Sequence, residues 1–186
     1  MVAKLHPSKL IILDRDGVIN EDSDHYIKSP DEWIPIPRSL EAIAKLNQAG
    51  YHIVVATNQS GVGRGLYDMD TLNAIHEKLH RLLGKCGGHI DAIFFCPHTD
   101  VDNCSCRKPQ PGLMQQISER YGIPITGVPI VGDSVRDLTA GVALGAEPHL
   151  VLTGKGEKAR ASGALPPYTA IHKDLMAFAN HFIQRT

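Results

Sequence analysis

Two aspartates and a glycine directly follow the first apolar segment of the chain. Asp14 and Asp16 come after the apolar residues 11–13, and Gly17 follows them. In an extended chain alternate side chains point to the same side, so the two carboxylates face one way and Arg15 faces the other. Such a carboxylate pair can bind a divalent cation, and one of its carboxylates can act as a nucleophile. The alternative is a strand that ends in a solvated turn.

Polar groups that complement these carboxylates occur farther along the chain. They follow other predicted strands or begin a predicted helix, and they are Thr57, Asn58, Lys108, Asp133 and Asp137. In a parallel sheet these groups meet at one edge, where several carboxylates need a cation to stay ionised together. Oxygen ligands of this kind suit Mg²⁺, and hydroxyl and ammonium groups can donate to phosphoryl oxygens. The pattern therefore predicts a magnesium-dependent site for phosphoryl transfer.

A second cluster of reactive side chains lies in one short loop. It combines three thiolates and one imidazole, from Cys96, His98, Cys104 and Cys106. This set matches a closed, four-coordinate Zn²⁺ site, and a filled coordination sphere makes that zinc structural rather than catalytic. Zinc would order a loop that has few apolar residues, and would thereby place Arg107 and Lys108. The alternative is that the cysteines only pack in the interior.

These groups require a scaffold in which strands and helices alternate. Strands are predicted at residues 9–13, 51–56, 90–95, 128–131 and 150–152, and helices at 39–49, 68–83, 111–121, 135–144 and 173–183. Ser39 is expected to cap the first helix. The glycine-rich residues 61–65 are expected to form a mobile substrate loop. The alternation favours an α/β fold with helices on both faces of a central parallel sheet.

Composition limits the classes of protein to which the chain can belong. With 186 residues, 42% of them hydrophobic, the chain suits one globular domain, expected to span residues 1–186. Its net charge of −1 gives no support for nucleic acid or membrane as partners. We find no signal-peptide pattern and no apolar run of membrane length, so we expect a cytoplasmic protein. We also expect a monomer, because the sequence shows no obvious exposed apolar stripe.

The order of the polar groups along the chain matches a known pattern. The matching segments are Asp14-Arg15-Asp16-Gly17, Thr57, Lys108 and Gly132-Asp133 with Asp137. They resemble, in that order, the four motifs of the haloacid dehalogenase superfamily of phosphohydrolases. The resemblance implies a phosphoric monoester hydrolase with a Rossmann-like three-layer sandwich. In it Asp137 would orient Lys108 or a metal-bound water, or would only be an acid in the first turn of a helix.

The same resemblance implies roles for the other motif residues. Asp14 would attack phosphorus and become an aspartyl phosphate. Asp16 would protonate the leaving alkoxide and then deprotonate the hydrolytic water. Mg²⁺ would be held by the Asp14 carboxylate, the Asp16 main-chain carbonyl and Asp133. Thr57 and Lys108 would bind the transferring phosphoryl group.

Further segments are similar to one branch of the superfamily, which acts on sugar bisphosphates. They are residues 14–20, 56–61, 96–98 and 104–109. The histidinol-phosphate phosphatase branch shares the cysteine loop and is the alternative. It usually has Thr-Leu-Ile where this chain has Val18-Ile19-Asn20. The resemblance thus implies a small sugar bisphosphate as substrate, with Mg²⁺ and Zn²⁺ as the metals.

Substrate contacts are expected from three short loops, at residues 20–33, at residues 59–64 and in the cysteine loop with Arg107, rather than from a cap domain. The intervals between the motifs are filled by the predicted helices and strands, and they leave no room for the inserted cap that many relatives carry. A ligand with a second anionic group needs cationic partners, for which Arg107 and Arg64 are candidates. Further candidates for substrate binding are Asn20, Asn58, Gln59 and Ser60.

Two other classes of function are disfavoured. Residues 76–80 fit the pattern of two histidines and a glutamate in zinc proteases, but the same residues belong to an ordinary amphipathic helix. A zinc-loop binding module without catalysis would explain the cysteines. Such a module would not account for Asp14, Lys108 and Asp133.

Overall fold

A single parallel β-sheet forms the centre of the computed structural model, which describes residues 9–185. Its strands are β1 (Leu10–Leu13), β2 (His52–Asn58), β3 (Ala92–Cys96), β4 (Pro129–Gly132), β5 (Glu147–Val151) and β6 (Ala170–His172). They lie in the order β3-β2-β1-β4-β5-β6, and every neighbouring pair is parallel. The central position of β1 agrees with its purely apolar sequence, because such a strand is buried on both faces.

Helices cover both faces of the sheet. They are α1 (Ser39–Gln48), α2 (Ser60–Gly63), α3 (Met69–Lys85), α4 (Gly112–Tyr121), α5 (Val135–Val142), α6 (Gly156–Ala161) and α7 (Leu175–Gln184), with a short 3₁₀ helix at Asp100–Asp102. In β1, Ile11 and Leu13 pack into a core with α1, α3 and α7. Leu10 and Ile12 pack into a second core with α4, α5 and α6. The predicted three-layer α/β sandwich is therefore confirmed.

The connections beside the crevice consist of irregular segments and ordinary helices. Between β1 and β2 the chain forms an irregular segment and α1, and between β2 and β3 it forms α2 and α3. Over residues 9–185 neither interval contains an inserted cap domain. The same residues include no helix long and apolar enough to cross a bilayer.

The strand order explains where a ligand can bind. The chain passes from β1 to β2 on one side, whereas β4 pairs with β1 on the other side. A crevice opens at such a switch point, outside the carboxyl ends of the strands. The carboxyl ends of β1, β2 and β4 carry the polar residues singled out in the sequence.

All five predicted strands and five predicted helices are present, with bounds that agree within three residues. The predicted cap at Ser39 is wrong. Arg38 occupies the N-cap position with φ 67°, and the buried Ser39 hydroxyl donates instead to the main-chain oxygen of Ile19, at 2.6 Å. The hydroxyl thus satisfies a carbonyl of the segment after β1 rather than the first turn of α1.

The glycine-rich residues 61–65 were predicted to be a mobile loop, and this prediction also needs correction, because residues 60–63 form the short helix α2. A Cβ atom on Gly61 would overlap the Tyr67 ring, and one on Gly63 would overlap the main chain of Pro97. The glycines therefore permit close packing here.

An aromatic and histidine cluster holds β5, β6 and α7 together. His149 is fully buried, its Nδ1 lies 3.0 Å from His172 Nε2, and its ring meets the edge of Phe178. Burial lowers the pKa of His149 and of His172 to about 4 each. Both imidazoles are therefore neutral in the folded protein near pH 7.

The free energy of unfolding is expected to fall as pH drops from about 6.5 to about 4. In that range the unfolded chain binds protons on both histidines while the folded chain does not, so acid favours unfolding. In the His149→Gln variant, the loss of unfolding free energy across this pH range should be smaller than in the unaltered protein, by roughly 2 kcal/mol. Urea unfolding at several pH values measures it. Other titrating groups are common to both proteins, so parallel curves would contradict the assignment.

Candidate active site

The predicted site residues meet in a crevice at the carboxyl edge of the sheet. Those that line it are Asp14, Asp16, Thr57, Asn58, Gln59, Ser60, Arg107, Lys108 and Asp133. Asp14 follows β1, Thr57 lies near the end of β2 and Asp133 follows β4. The strand ends are thus brought together as the parallel sheet requires.

Lys108 lies at the buried base of this crevice. Its Nζ donates to the main-chain oxygen of Ala56 at 2.7 Å and forms ion pairs with Asp14 Oδ1 at 3.0 Å and Asp137 Oδ1 at 2.8 Å. Burial acts to lower the pKa of Lys108, but the charges of Asp137 and Asp14 raise it above its ordinary value. The ammonium group is therefore charged and fixed by three oxygens.

Asp137 contributes to helix capping and to the site. Its Oδ2 accepts from the Ser134 hydroxyl at 2.6 Å and from the Ser134 amide at 3.1 Å, which completes a capping box for α5. Its other oxygen faces Lys108. Burial opposes ionisation, but the charges of Lys108 and Arg136 hold the pKa of Asp137 below its ordinary value. Both interpretations of this residue, a first-turn acid and a partner of Lys108, are compatible with these contacts.

Three carboxylates crowd together beside this lysine. Ligand oxygens of Asp14, Asp133 and Asp137 all lie within 4.8 Å of one another. Burial, with the charge of Asp137, raises the pKa of Asp14 to about 7. Burial, with the charges of Asp137 and Asp14, raises the pKa of Asp133 to about 8. A divalent cation would relieve this repulsion, and a set of hard oxygen donors fits Mg²⁺.

Two glycines fix the position of Asp133. A Cβ atom on Gly17 or on Gly154 would overlap Asp133 Oδ2, and both glycines have positive φ, 81° and 57°. The same oxygen accepts from the main-chain amide of Lys155 at 2.8 Å. The turn after β1 and the turn after β5 therefore enclose this carboxylate, and larger side chains do not fit there.

Asp16 is held at both of its carboxylate oxygens. Oδ1 lies 3.0 Å from Arg15 Nε and accepts from Asn20 Nδ2 at 2.9 Å, while Oδ2 accepts from Gln59 Nε2 at 3.0 Å. Burial acts to raise the pKa of Asp16, but the Arg15 charge and these hydrogen bonds lower it below its ordinary value. Asp16 is therefore ionised in this arrangement.

Two predicted substrate contacts need correction. Asn20 is fully buried, and its amide donates to Asp16 and to the main chain of Glu21 rather than facing the crevice. Arg64 lies outside the crevice lining and pairs with Asp100 at 2.8 Å. Both residues follow motif segments in sequence, but the turns that follow those segments direct the two side chains elsewhere.

The other predicted substrate residues remain at the crevice. Asn58 exchanges two 3.0 Å hydrogen bonds with the main chain of Lys108 and so ties the end of β2 to the end of the cysteine loop. Gln59 is engaged with Asp16 and with the Thr57 hydroxyl, at 2.9 Å. Arg107 lines the mouth of the crevice, with only a 3.4 Å hydrogen bond to the main chain of His98.

The cysteine loop brings its four predicted ligands together. Cys96 Sγ lies 3.0 Å from Cys106 Sγ and 3.6 Å from Cys104 Sγ, and His98 Nδ1 lies 3.3 Å from Cys106 Sγ. Tetrahedral coordination at 2.0–2.3 Å places ligand atoms about 3.3–3.8 Å apart, which the 3.6 Å and 3.3 Å separations match. The shorter Cys96–Cys106 separation would have to widen when a metal binds. The set fits zinc with its coordination sphere filled by protein.

Several crevice residues were not identified from the sequence. They are Asp22, Ser23, Asp24, Tyr26, Ile27, Tyr67, Arg136 and Lys155. Lys155 follows β5 closely, so the comparison of strand ends could have found it. Lys155 Nζ pairs with Asp22 at 3.1 Å and Asp24 at 3.3 Å. The segment after β1 lines the crevice, as expected of the loop at residues 20–33, but no regular pattern in its sequence indicates which of its side chains do so.

The fold and the crevice define a hydrolase of the haloacid dehalogenase type. A family model described as polynucleotide kinase 3 phosphatase matches residues 9–137, and one described as HAD-hydrolase-like matches residues 105–177. The chain is 57% identical to the D-glycero-β-D-manno-heptose-1,7-bisphosphate 7-phosphatase of Bordetella bronchiseptica, over 95% of this chain and 98% of that protein. It is 53% identical to the enzyme of that name from Pseudomonas aeruginosa, over 94% and 98%. The chain belongs to this family of sugar bisphosphate phosphatases.

Solved structures agree with this assignment. The crystal structure of the D,D-heptose 1,7-bisphosphate phosphatase from B. bronchiseptica, complexed with magnesium and phosphate, superposes with a TM-score of 0.94 at 56% identity and covers 96% of this chain and 99% of that one. The corresponding Burkholderia thailandensis structure has a TM-score of 0.76 at 55% identity, with coverage of 94% and 98%. The predicted resemblance to sugar bisphosphate phosphatases is confirmed, and the histidinol-phosphate alternative is not favoured.

Proposed function

We propose that this protein removes the 7-phosphate of D-glycero-β-D-manno-heptose 1,7-bisphosphate. The observation that carries the proposal is the buried Asp14–Lys108 pair, which lies beside Thr57 and Asp133 at the carboxyl edge of the sheet. A nucleophilic carboxylate, two phosphoryl donors and a metal carboxylate thus share one crevice. The β anomer is proposed from the names of the relatives.

Asp14 and Asp16 share the proposed chemistry. An Asp14 oxygen attacks phosphorus, the bond from phosphorus to the sugar oxygen breaks, and Asp16 gives that oxygen a proton. Water then attacks the aspartyl phosphate and gives a proton to Asp16, which releases phosphate and restores Asp14. The ionised Asp16 of this structure suits the second step. An anionic substrate beside it favours proton uptake before the first step.

The crevice and the cysteine loop are proposed to hold different metals. Mg²⁺ would be bound by the Asp14 carboxylate, the Asp16 main-chain carbonyl and Asp133, and when bound it offsets the charge on the transferring phosphoryl group. Thr57 and Lys108 would donate to the same group. Zn²⁺ would be bound by the four ligands of the cysteine loop and would order the main chain that leads to Lys108.

The proposal also covers the cellular location, the oligomeric state and the pathway of the enzyme. It places the enzyme in the cytoplasm as a monomer, on the route to the nucleotide-activated heptose of lipopolysaccharide. Sedimentation of the purified protein tests the monomer, for which the expected mass is 20.3 kDa.

Phosphate release from a panel of substrates tests the function. The panel contains both anomers of the heptose bisphosphate, the 7-monophosphate, histidinol phosphate and fructose 1,6-bisphosphate, each with and without Mg²⁺. The highest kcat/KM is expected for the β bisphosphate with Mg²⁺. Faster turnover of histidinol phosphate would overturn the substrate assignment, and the absence of metal-dependent release from every substrate would favour a binding protein.

Replacing Arg107→Ala is expected to raise KM for the bisphosphate by about 10-fold or more and KM for the 7-monophosphate by less than about 3-fold. Arg107 lines the crevice mouth near Lys108, where a second phosphate can reach its guanidinium group. Initial-rate kinetics on both substrates measure the difference.

The matched control for this prediction is Arg160→Ala. Arg160 is a surface arginine on α6 that pairs with Glu157 at 2.6 Å. Its replacement should leave both KM values unchanged. Equal increases of KM for the two substrates in the Arg107 variant would show that this arginine does not recognise the second phosphate.

A further inference from the structure

A fully buried arginine lies behind the proposed proton carrier. Arg15 has no solvent exposure, although it directly follows the nucleophile in sequence. Its Nε and Nη2 lie 3.0 Å and 2.9 Å from the same oxygen of Asp16. Burial of a guanidinium group is unfavourable unless its donors have partners. The groups that satisfy the remaining donors therefore determine where Arg15, and with it Asp16, can lie.

One of those partners is a histidine on α3. Arg15 Nη1 lies 3.1 Å from His76 Nε2. An arginine has only donors, so His76 must accept through Nε2 and carry its single proton on Nδ1. Burial, followed by the charge of Arg15, lowers the pKa of His76 to about 3, in agreement with a neutral ring. This histidine belongs to the protease-like segment 76–80, for which the proposed reaction has no other use.

A second chain of contacts reaches the other oxygen of Asp16. Tyr67 donates its hydroxyl hydrogen to Gln59 Oε1 at 2.6 Å, and Arg15 Nη2 donates to the same atom at 3.2 Å. These contacts fix which way the Gln59 amide faces. Its Nε2 then donates to Asp16 Oδ2 and to the Thr57 hydroxyl. One amide thus holds both Asp16, the proposed proton carrier, and Thr57, a proposed ligand of the phosphoryl group.

We propose that His76 is a positioning residue for the proton transfer by Asp16, acting through Arg15, and that Tyr67 assists through Gln59. The inference rests on the proposed phosphatase function. The Asp16 side chain is 22% exposed, and its Oδ1 accepts from Arg15 and Asn20 whereas its Oδ2 accepts only from Gln59, so Oδ2 forms the edge of the carboxylate that can still take a proton. Proton transfer requires that edge to lie within hydrogen-bond reach of the leaving oxygen. The two chains of contacts hold Asp16 from the interior and leave this edge free.

The test compares leaving groups. A sugar alkoxide needs a proton in order to leave, whereas p-nitrophenolate does not, so only the first reaction depends on a well-placed acid. kcat/KM reports the steps up to the first irreversible one, which excludes the later role of Asp16 as a base. In His76→Leu we expect kcat/KM to fall by about 30-fold for the heptose bisphosphate and by less than about 3-fold for p-nitrophenyl phosphate.

Two further variants separate positioning from general damage. In His76→Gln the side-chain oxygen can accept from Arg15, and kcat/KM should stay within about 3-fold of the unaltered enzyme for both substrates. Tyr67→Phe should also lower the ratio of kcat/KM for the heptose bisphosphate to kcat/KM for p-nitrophenyl phosphate, by a smaller factor than His76→Leu does. The matched control is His80→Leu, an exposed position one turn farther along α3, which should change neither value.

The outcomes are distinguishable. Equal losses on both substrates in His76→Leu, or no recovery in His76→Gln, would overturn the positioning role while leaving the phosphatase function intact. If the unaltered enzyme hydrolyses neither substrate, the proposed function fails and this inference fails with it. If His76→Leu does not fold, the Tyr67→Phe ratio decides, and an unchanged ratio overturns the proposal.

Discussion

Replacing Asp14→Asn is expected to abolish phosphate release, with kcat reduced by about 10⁴-fold or more. The amide keeps the size of the carboxylate and can still accept from Lys108, which lies 3.0 Å away. It cannot form the aspartyl phosphate. The variant should therefore fold normally and bind phosphate, because it has lost a nucleophile and a negative charge rather than a phosphoryl donor.

Single-turnover kinetics and calorimetric titration with phosphate check the two parts of this expectation. The matched control is Asp100→Asn, a surface carboxylate outside the crevice lining that pairs with Arg64. It should retain full activity. An Asp14→Asn enzyme that keeps more than about 1% of kcat would place the nucleophile elsewhere. A metallopeptidase would behave in the opposite way, losing its activity with His76 and keeping it without Asp14.

Replacing Cys106→Ala is expected to prevent binding of the proposed zinc, lower Tm by roughly 10 °C and reduce kcat/KM by about 100-fold. Cys106 lies only two residues before Lys108, and its Sγ is 3.0 Å from that of Cys96. Without a metal, the loop has few apolar contacts to replace the lost bonds. The loss of activity would then come from a displaced lysine rather than from altered chemistry.

Metal analysis, thermal unfolding and kinetics on one protein preparation test this prediction. The chain offers a matched control in Cys86→Ala, because Cys86 is the only cysteine outside the loop and is half-buried against the first core. That variant should keep one zinc per chain and nearly normal activity. Retention of zinc by the Cys106 variant would contradict the proposed ligand set.

The fold was predictable where apolar periodicity is strong. The five strands and five helices with clear apolar patterns all exist, because each must bury a continuous apolar face. The edge strand β6 has only three residues and includes a histidine, and α6 has six residues with three charged side chains. Both elements are too short to show a periodic pattern of apolar residues. Their positions depend on packing against β5 and its neighbours.

The site was predictable where the sheet alone determines position. Residues at the ends of parallel strands share an edge whatever the loops do, so Asp14, Thr57 and Asp133 could be brought together from sequence. The loop residues were different. Asn20 and Arg64 needed knowledge of the turns that direct them, and only the folded chain shows that Arg15 turns back to hold Asp16.

Lys108 has a consequence for how the enzyme releases its product. Its ammonium group already lies within 3.0 Å of three oxygens, which belong to Ala56, Asp14 and Asp137. A phosphate oxygen must therefore displace one of them, and binding gains only the difference between the new contact and the old one. In the proposed mechanism this exchange would keep the affinity for free phosphate low and leave the full charge of Lys108 available when negative charge develops in the transition state. In that mechanism the same lysine would promote the reaction and limit inhibition by its product.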